Sequence, residues 1–203
     1  MAKISAIFWD IGGVLLTNAW DKSERLRALN EFELDQVEFQ DRHEMLVSSF
    51  ERGKITLDEY LQRTIFYRPR TFTQDAFREY MLSLSQAKAG SLEFARELTK
   101  SGKYLMSTIN NESTELNLYR IRKFGLTDIF SLFVSSCFVG LRKPEAAIYK
   151  LAVDVVQKLP EACCFIDDRA LNLECAQQLG MHTVEMESVP QLRNSLHNLG
   201  VEC

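Results

Sequence analysis

From Lys103 onward the chain alternates short apolar runs with longer amphipathic stretches, and that alternation constrains its fold more than any other feature. The runs fall at 103–108, 131–135, 162–166 and 182–186. The stretches between them, 112–123, 145–158 and 170–179, have helical periodicity. Strands joined through helices predict a mostly parallel sheet covered on both faces, because parallel neighbours need a long crossover. One further strand is expected at 4–9, ending at Asp10 and a Gly12-Gly13 turn. In 145–158, Ile148, Leu151, Ala152, Val155 and Leu159 are expected to share one buried face. Gly180, just after Leu179, marks a helix C-terminus, and 189–203 reads as one short closing helix.

Between the first strand and the rest the character changes. From about Asn18 to Ala87 the residues are charged and helically periodic, with stripes such as Leu26-Leu29-Phe32, Met45-Leu46-Phe50 and Tyr60-Leu61-Ile65. Gly53 predicts a helix stop, and Thr56 followed by Glu59 predicts a capping box opening the next helix. The fold class is therefore α/β: a three-layer, Rossmann-like core of 1–17 and 88–203, with a small all-helical insertion of 18–87 after the first strand. No Ser/Gly linker interrupts this region, so the insertion is expected to pack on the core as a cap.

Parallel strands bring their carboxyl ends to one crevice, so the residues ending the apolar runs can meet although they are far apart in sequence. They are Asp10, Ser107, Lys143 (in a loop past Leu132-Phe133-Val134) and the pair Asp167-Asp168. A carboxylate can attack phosphorus and divide a hard displacement into two steps. An ammonium at Lys143 would neutralise Asp10 and an incoming anion. The Ser107 hydroxyl would donate to a phosphoryl oxygen. Carboxylates suit magnesium, which keeps several waters and needs only one or two of them; Asp168 is the expected ligand, with Asp167 supporting it. Backbone N–H groups of Ile11 and Gly12 would add an anion nest. Taken singly, each residue has a bland alternative: a turn former, a surface lysine, a strand-end hydroxyl, a solvated acidic turn.

Together and in order, the motifs resemble those of the haloacid dehalogenase-like hydrolase superfamily, over nearly the whole chain. Asp10-Ile11-Gly12-Gly13-Val14-Leu15 is similar to its Asp-x-Asp-Gly-(Thr/Val)-Leu motif, Lys143-Pro144 to its lysine motif, and Phe165-Ile166-Asp167-Asp168 to its acidic motif. Asn172-Leu173-Glu174-Cys175-Ala176 and Leu179-Gly180-Met181 look like the family as well. The match around Ser107, Thr108 and Asn110 is partial, relatives often reading Ser-Asn-Thr-Asn. The resemblance implies a magnesium-dependent phosphomonoester hydrolase acting through an aspartyl-phosphate on Asp10. Its catalytic residues would be Asp10, Ser107 and Lys143. Phosphate would be held by Ile11, Gly12, Ser107, Thr108 and Lys143, and Mg2+ by Asp10, Gly12, Asp167 and Asp168.

Gly12 is the departure. The family's second Asp binds metal through its carbonyl and protonates the leaving group through its side chain; glycine keeps the first job and loses the second. Acid–base assistance is worth roughly 10²–10⁴-fold, so a slow phosphatase, one borrowing an acid from the cap or substrate, and a weakened phosphate-binding or regulatory relative all fit. Asp21, Asp41, His43 and Glu44 lie in the insertion, with no motif to place them. A 2-haloacid dehalogenase is disfavoured, because such relatives resemble Asp-x-Tyr and need no magnesium.

A net charge of −4 with no basic-aromatic run argues against nucleic acid. No run approaches a membrane span, and Asp10 interrupts the first apolar run, so no secretory segment is expected. Cys137, Cys163, Cys164, Cys175 and Cys203 form no Cys-x-x-Cys, which predicts reduced thiols in a cytoplasmic setting. The expected partner is a small phosphorylated metabolite, handled by a monomer or homodimer, with Trp20, Arg42 and His43 as candidates for setting substrate choice.

Overall fold

The computed structural model describes residues 3–202, which leaves Cys203 outside it. Five parallel strands, β1 (Ala6–Trp9), β2 (Leu105–Asn110), β3 (Leu132–Ser135), β4 (Cys163–Asp167) and β5 (His182–Glu185), form a sheet ordered β3-β2-β1-β4-β5 among the described residues. The chain steps from β1 one way to β2 and β3, then returns to the other side of β1 for β4. The carboxyl ends of β1, β2 and β4 therefore flank a topological switch point, where open α/β sheets place their sites.

Alternation along the strands feeds two cores. Ile7 and Trp9 point to one face, with Met106, Cys164 and Ile166. Ala6 and Phe8 point to the other, with Ile109, Cys163 and Phe165. Helix α5 (Ser91–Ser101) covers the first face through Leu92, Phe94, Ala95 and Leu98. The second is covered by α8 (Ala146–Val156) and α9 (Ala170–Gln178). The short α7 (Ser136–Val139) follows β3, α6 (Thr114–Lys123) follows β2, and α10 (Val189–Asn198) packs Leu192 and Leu196 on the first face.

Four helices, α1 (Lys22–Glu31), α2 (Gln36–Glu51), α3 (Leu57–Thr64) and α4 (Gln74–Ser83), stand between β1 and α5. They enclose their own cluster, including Trp20, Leu29, Phe39, Phe50, Tyr60, Leu61 and Phe77. The Phe50 and Tyr60 rings stack at 4.1 Å. The capping box at α3 is present, with Glu59 N–H donating to Thr56 Oγ1 at 3.1 Å and Thr56 N–H donating to Glu59 Oε2 at 2.9 Å. Gly53 follows α2 at φ +66°, where a Cβ would meet the Cys137 carbonyl at 2.4 Å. The two connections between these helices and the sheet run side by side: Thr17 N–H donates to Gln86 O (2.9 Å) and Lys88 N–H to Leu15 O (2.9 Å).

Two expected stripes have the wrong phase. On α8 the buried face is Ile148, Tyr149, Ala152, Val153 and Val156, while Val155 and Leu159 are 51% and 70% exposed. An aliphatic stripe carries no sign of Tyr149, whose hydroxyl donates to Asn172 O at 3.0 Å and fixes the helix's rotation. Met45 is 84% exposed, because α2 turns Phe39, His43 and Phe50 inward instead. Strand β2 also runs two residues further than expected, to Asn110, since β-branched Thr108 and Ile109 continue its pairing with β3. That extension relocates part of the site.

Candidate active site

Asp10 follows β1, Asp167 closes β4, and Lys143 approaches from the loop after α7. The Lys143 ammonium lies 2.9 Å from Asp10 Oδ1 and 2.6 Å from Asp167 Oδ2. All three are buried. Lys143 is held at its backbone by a residue that sequence reasoning missed: Asn111 Nδ2 donates to Lys143 O (2.9 Å) and Lys143 N–H donates to Asn111 Oδ1 (2.8 Å). Asp167 is saturated, accepting from Lys143, from Arg169 N–H at 2.9 Å, and from Asn172 Nδ2 at 3.0 Å to each oxygen.

Asp168 differs. Its Oδ1 is buried with no hydrogen-bond partner. It packs so closely on the turn after Asp10 that a Cβ at Gly13 would lie 1.9 Å from its Oδ2, which is why position 13, at φ +74°, has no side chain. Asp10, Asp167 and Asp168 each offer an oxygen within 4.8 Å of the others. Burial pushes Asp10 up to about 7, against the pull of Lys143, and burial with the nearby Asp167 raises Asp168. Lys143 is raised: burial alone would lower it, but Asp10 and Asp167 outweigh that. Carboxylates crowded beyond what one lysine neutralises, with an oxygen left unpartnered, fit a hard divalent cation, and magnesium suits such a set.

Asp10 and Lys143 open onto a cavity of about 250 Å³ lined also by Gly12, Asn18, Trp20, Arg25, His43, Glu112 and Arg120, with Asp167 and Asp168 behind them and outside its lining. Asp21 and His43 of the insertion reach it; Asp41 and Glu44 are exposed on α2. Arg42 is elsewhere, its guanidinium 3.4 Å above the Tyr67 ring. Ser107 and Thr108 are not at the mouth. They sit inside β2 level with Phe8 and Trp9, fully buried, with both hydroxyls unpartnered. Neither hydroxyl lines the cavity; Ile109, the next residue of β2, packs in the second core, and Asn111 and Glu112 line the cavity after this strand. The Ile11 N–H is occupied, donating to Asp10 Oδ1 at 2.8 Å.

Beside Gly12 lies a buried pair that local motifs could not reveal. Arg120 Nη1 is 3.0 Å from Glu112 Oε2, its Nε donates to Ser85 Oγ at 3.2 Å, and its Nη2 donates to Thr17 O. It thus ties both connections of the helical insertion to α6. Burial pushes Glu112 up to about 7, Arg120 opposing. A Cβ on Gly12 would lie 2.8 Å from Asn18 Oδ1 and 3.7 Å from Arg120 Nη1.

Comparison with known proteins agrees with this architecture. Residues 4–180 match the family model described as haloacid dehalogenase-like hydrolase. The Arabidopsis thaliana protein named flavin mononucleotide hydrolase 1 is 30% identical over 160 residues, 79% of this chain and 64% of that protein. Bifunctional epoxide hydrolase 2 of Sus scrofa is 26% identical over 202 residues, 91% of this chain and 36% of that protein. The chain thus spans under two thirds of either relative. A predicted HAD-like hydrolase from Porphyromonas gingivalis superposes with a TM-score of 0.76 at 22% identity, covering 100% of both chains. A HAD family enzyme from Bacteroides thetaiotaomicron, solved with magnesium and inorganic phosphate, superposes at 0.74 with 22% identity, covering 92% of this chain and 96% of that one.

Proposed function

The chain belongs to the haloacid dehalogenase-like hydrolases, and from that premise we propose that it hydrolyses a small phosphomonoester with magnesium, through an aspartyl-phosphate on Asp10. The observation that carries this reading is Lys143 bridging Asp10 and Asp167, 2.9 and 2.6 Å away, beside an Asp168 oxygen with no protein partner. Asp10 supplies the nucleophilic oxygen. Lys143 favours its ionised form against the burial that raises it, and offsets the repulsion between carboxylate and phosphate. Asp167 fixes the lysine, and Asn111 fixes its backbone. Asp10, Asp168 and the Gly12 carbonyl would hold the magnesium ion, whose charge offsets the phosphoryl oxygens. With Gly12 in place of a carboxylate, the reading favours substrates whose leaving group needs little protonation. We further propose that 18–87 acts as a cap governing substrate choice, supported by Trp20, Asp21 and His43 lining the cavity.

A relative named for hydrolysing flavin mononucleotide supports the phosphomonoester class. The missing carboxylate at Gly12 and the burial of the Ser107 and Thr108 hydroxyls inside β2, away from the cavity, favour a second reading, a weakened relative that binds phosphate without turning it over. Turnover of p-nitrophenyl phosphate decides between them. The hydrolase should release phosphate with magnesium, lose activity with chelator, and be silent as Asp10→Asn, an amide being a far poorer nucleophile. Phosphate binding with no turnover, or equal turnover by Asp10→Asn, would overturn the hydrolase reading.

A further inference from the structure

The cavity lining is rich in paired charge. Lys143 is matched by Asp10 and Asp167, Arg120 by Glu112, Arg142 by Glu51 at 2.6 Å, and Arg169 by Asp21 at 2.7 Å. Arg25 is the exception among the described residues. It lines the same cavity, its Nη1 donates to the Trp20 carbonyl at 2.7 Å, its Nε is buried without a partner, and no carboxylate lies within ion-pair distance of it, Glu51 of the same lining feeling its charge only from farther off.

His43 stands beside it. Tyr60 Oη accepts from Trp20 Nε1 at 3.1 Å and lies 2.7 Å from His43 Nδ1. The indole can only donate, so the phenolic proton finds its acceptor at Nδ1. That assignment leaves the imidazole proton on Nε2, which has no protein partner. Burial and the Arg25 charge hold His43 down at about 4, so the ring is neutral near pH 7 and this tautomer persists. Two residues of the helical insertion that line the cavity thus each keep a donor without a protein acceptor, Arg25 Nε and His43 Nε2, while Arg25 Nη1 is taken by the Trp20 carbonyl.

We propose that Arg25 and His43 form a second anion subsite, so that the substrate carries a carboxylate or second phosphoryl group besides the phosphate at Asp10 and Lys143. The proposal rests on the phosphate position given above. A guanidinium fork suits either oxyanion geometrically and electrostatically. Desolvating an unmatched guanidinium under a neutral substrate would instead be penalised.

Calorimetric binding with magnesium tests it independently of turnover. The matched probes are glycerol 3-phosphate against 3-phosphoglycerate, and glucose 1-phosphate against glucose 1,6-bisphosphate. In wild type at least one second-anion member should bind about tenfold tighter than its match, as hydrogen bonds to charged groups imply. Which pair shows it identifies carboxylate or phosphoryl. Arg25→Met should collapse the ratio towards one, Arg25→Lys should retain part of it, and His43→Phe should lower it more than His43→Gln, whose amide still donates. A wild-type ratio near one in both pairs, or an Arg25→Met loss equal for both members of the preferred pair, overturns the subsite. Preference in binding without turnover of any probe would keep the subsite and remove the hydrolase reading.

Discussion

Replacing Gly12 with Asp tests most directly what this site lacks. Gly12 is not among the glycines of positive φ, so its backbone accepts a side chain without left-handed strain. The obstacle is Asn18, whose Oδ1 would lie 2.8 Å from the new Cβ. This carboxamide is the free end of a side chain, and displacing it to a poorer rotamer costs about 1 kcal/mol. Gly12→Asp should therefore melt roughly 2–4 °C lower, and adding Asn18→Ala should restore most of that loss. Arg120 Nη1, 3.7 Å from the Cβ, favours the ionised carboxylate, a better base for activating water than an acid for the leaving group. If turnover is limited by dephosphorylation of Asp10, aryl and alkyl phosphates should both gain, by ~10²-fold at the lower end of acid–base assistance. If leaving-group protonation limits, alkyl phosphates should gain more. Steady-state rates on matched aryl and alkyl phosphates, with magnesium binding checked by thermal shift, read this out. A folded, magnesium-binding Gly12→Asp/Asn18→Ala protein no faster on either substrate refutes the reasoning.

Three further outcomes follow from the geometry. Asp168→Ala should abolish the magnesium-dependent rise in melting temperature, whereas Asp167→Asn should retain part of it while losing activity; the reverse pattern would exchange their roles. Lys143→Met should lose turnover by at least about 10²-fold, as for a lost electrostatic stabiliser, and retained turnover would show that the bridge is only structural. Burial lifts Glu112 from 4.5 to about 7, so its favourable contribution to stability is full below about 4.5 and lost as pH rises through about 7. The melting temperature of wild type minus that of Glu112→Gln should accordingly fall between about pH 5 and pH 8, and a difference that stays flat or rises would refute the shift.

The parts of this molecule that were legible in sequence are those where a local cue coincides with a strand end. Asp10 and Asp167-Asp168 each follow a run buried on both faces, and sheet topology brings such ends together whatever their separation. The capping box and Gly53 were legible because capping is decided within a few residues. Ser107 was not legible as a buried strand residue because nothing local marks where the apolar run ends: Thr108 and Ile109 carry the ladder on to Asn110, two residues past 108. Arg120 is 103 residues from the Thr17 carbonyl it binds, and Asn111 is 32 from Lys143. No window of sequence contains either relationship, and helical periodicity gives no reason to turn an arginine inward.

The residues present and absent also divide by chemical role. Asp10, Lys143, Asp167 and Asp168 are the charges needed to assemble an anion with a cation, and all meet at the switch point. On the proposed reading, Gly12 brings no side chain to move a proton, and the Ser107 hydroxyl, buried inside β2 and outside the cavity lining, is not placed to donate to the phosphoryl oxygens as charge develops. Binding depends on the first set, and barrier lowering depends on both. Changes at Lys143 or Asp168 should consequently move affinity and rate together, while restoring a side chain at Gly12 should move rate with little change in affinity. That separation makes the ratio of kcat effect to binding effect the quantity that tells a slow enzyme from a binding protein with the same charge skeleton.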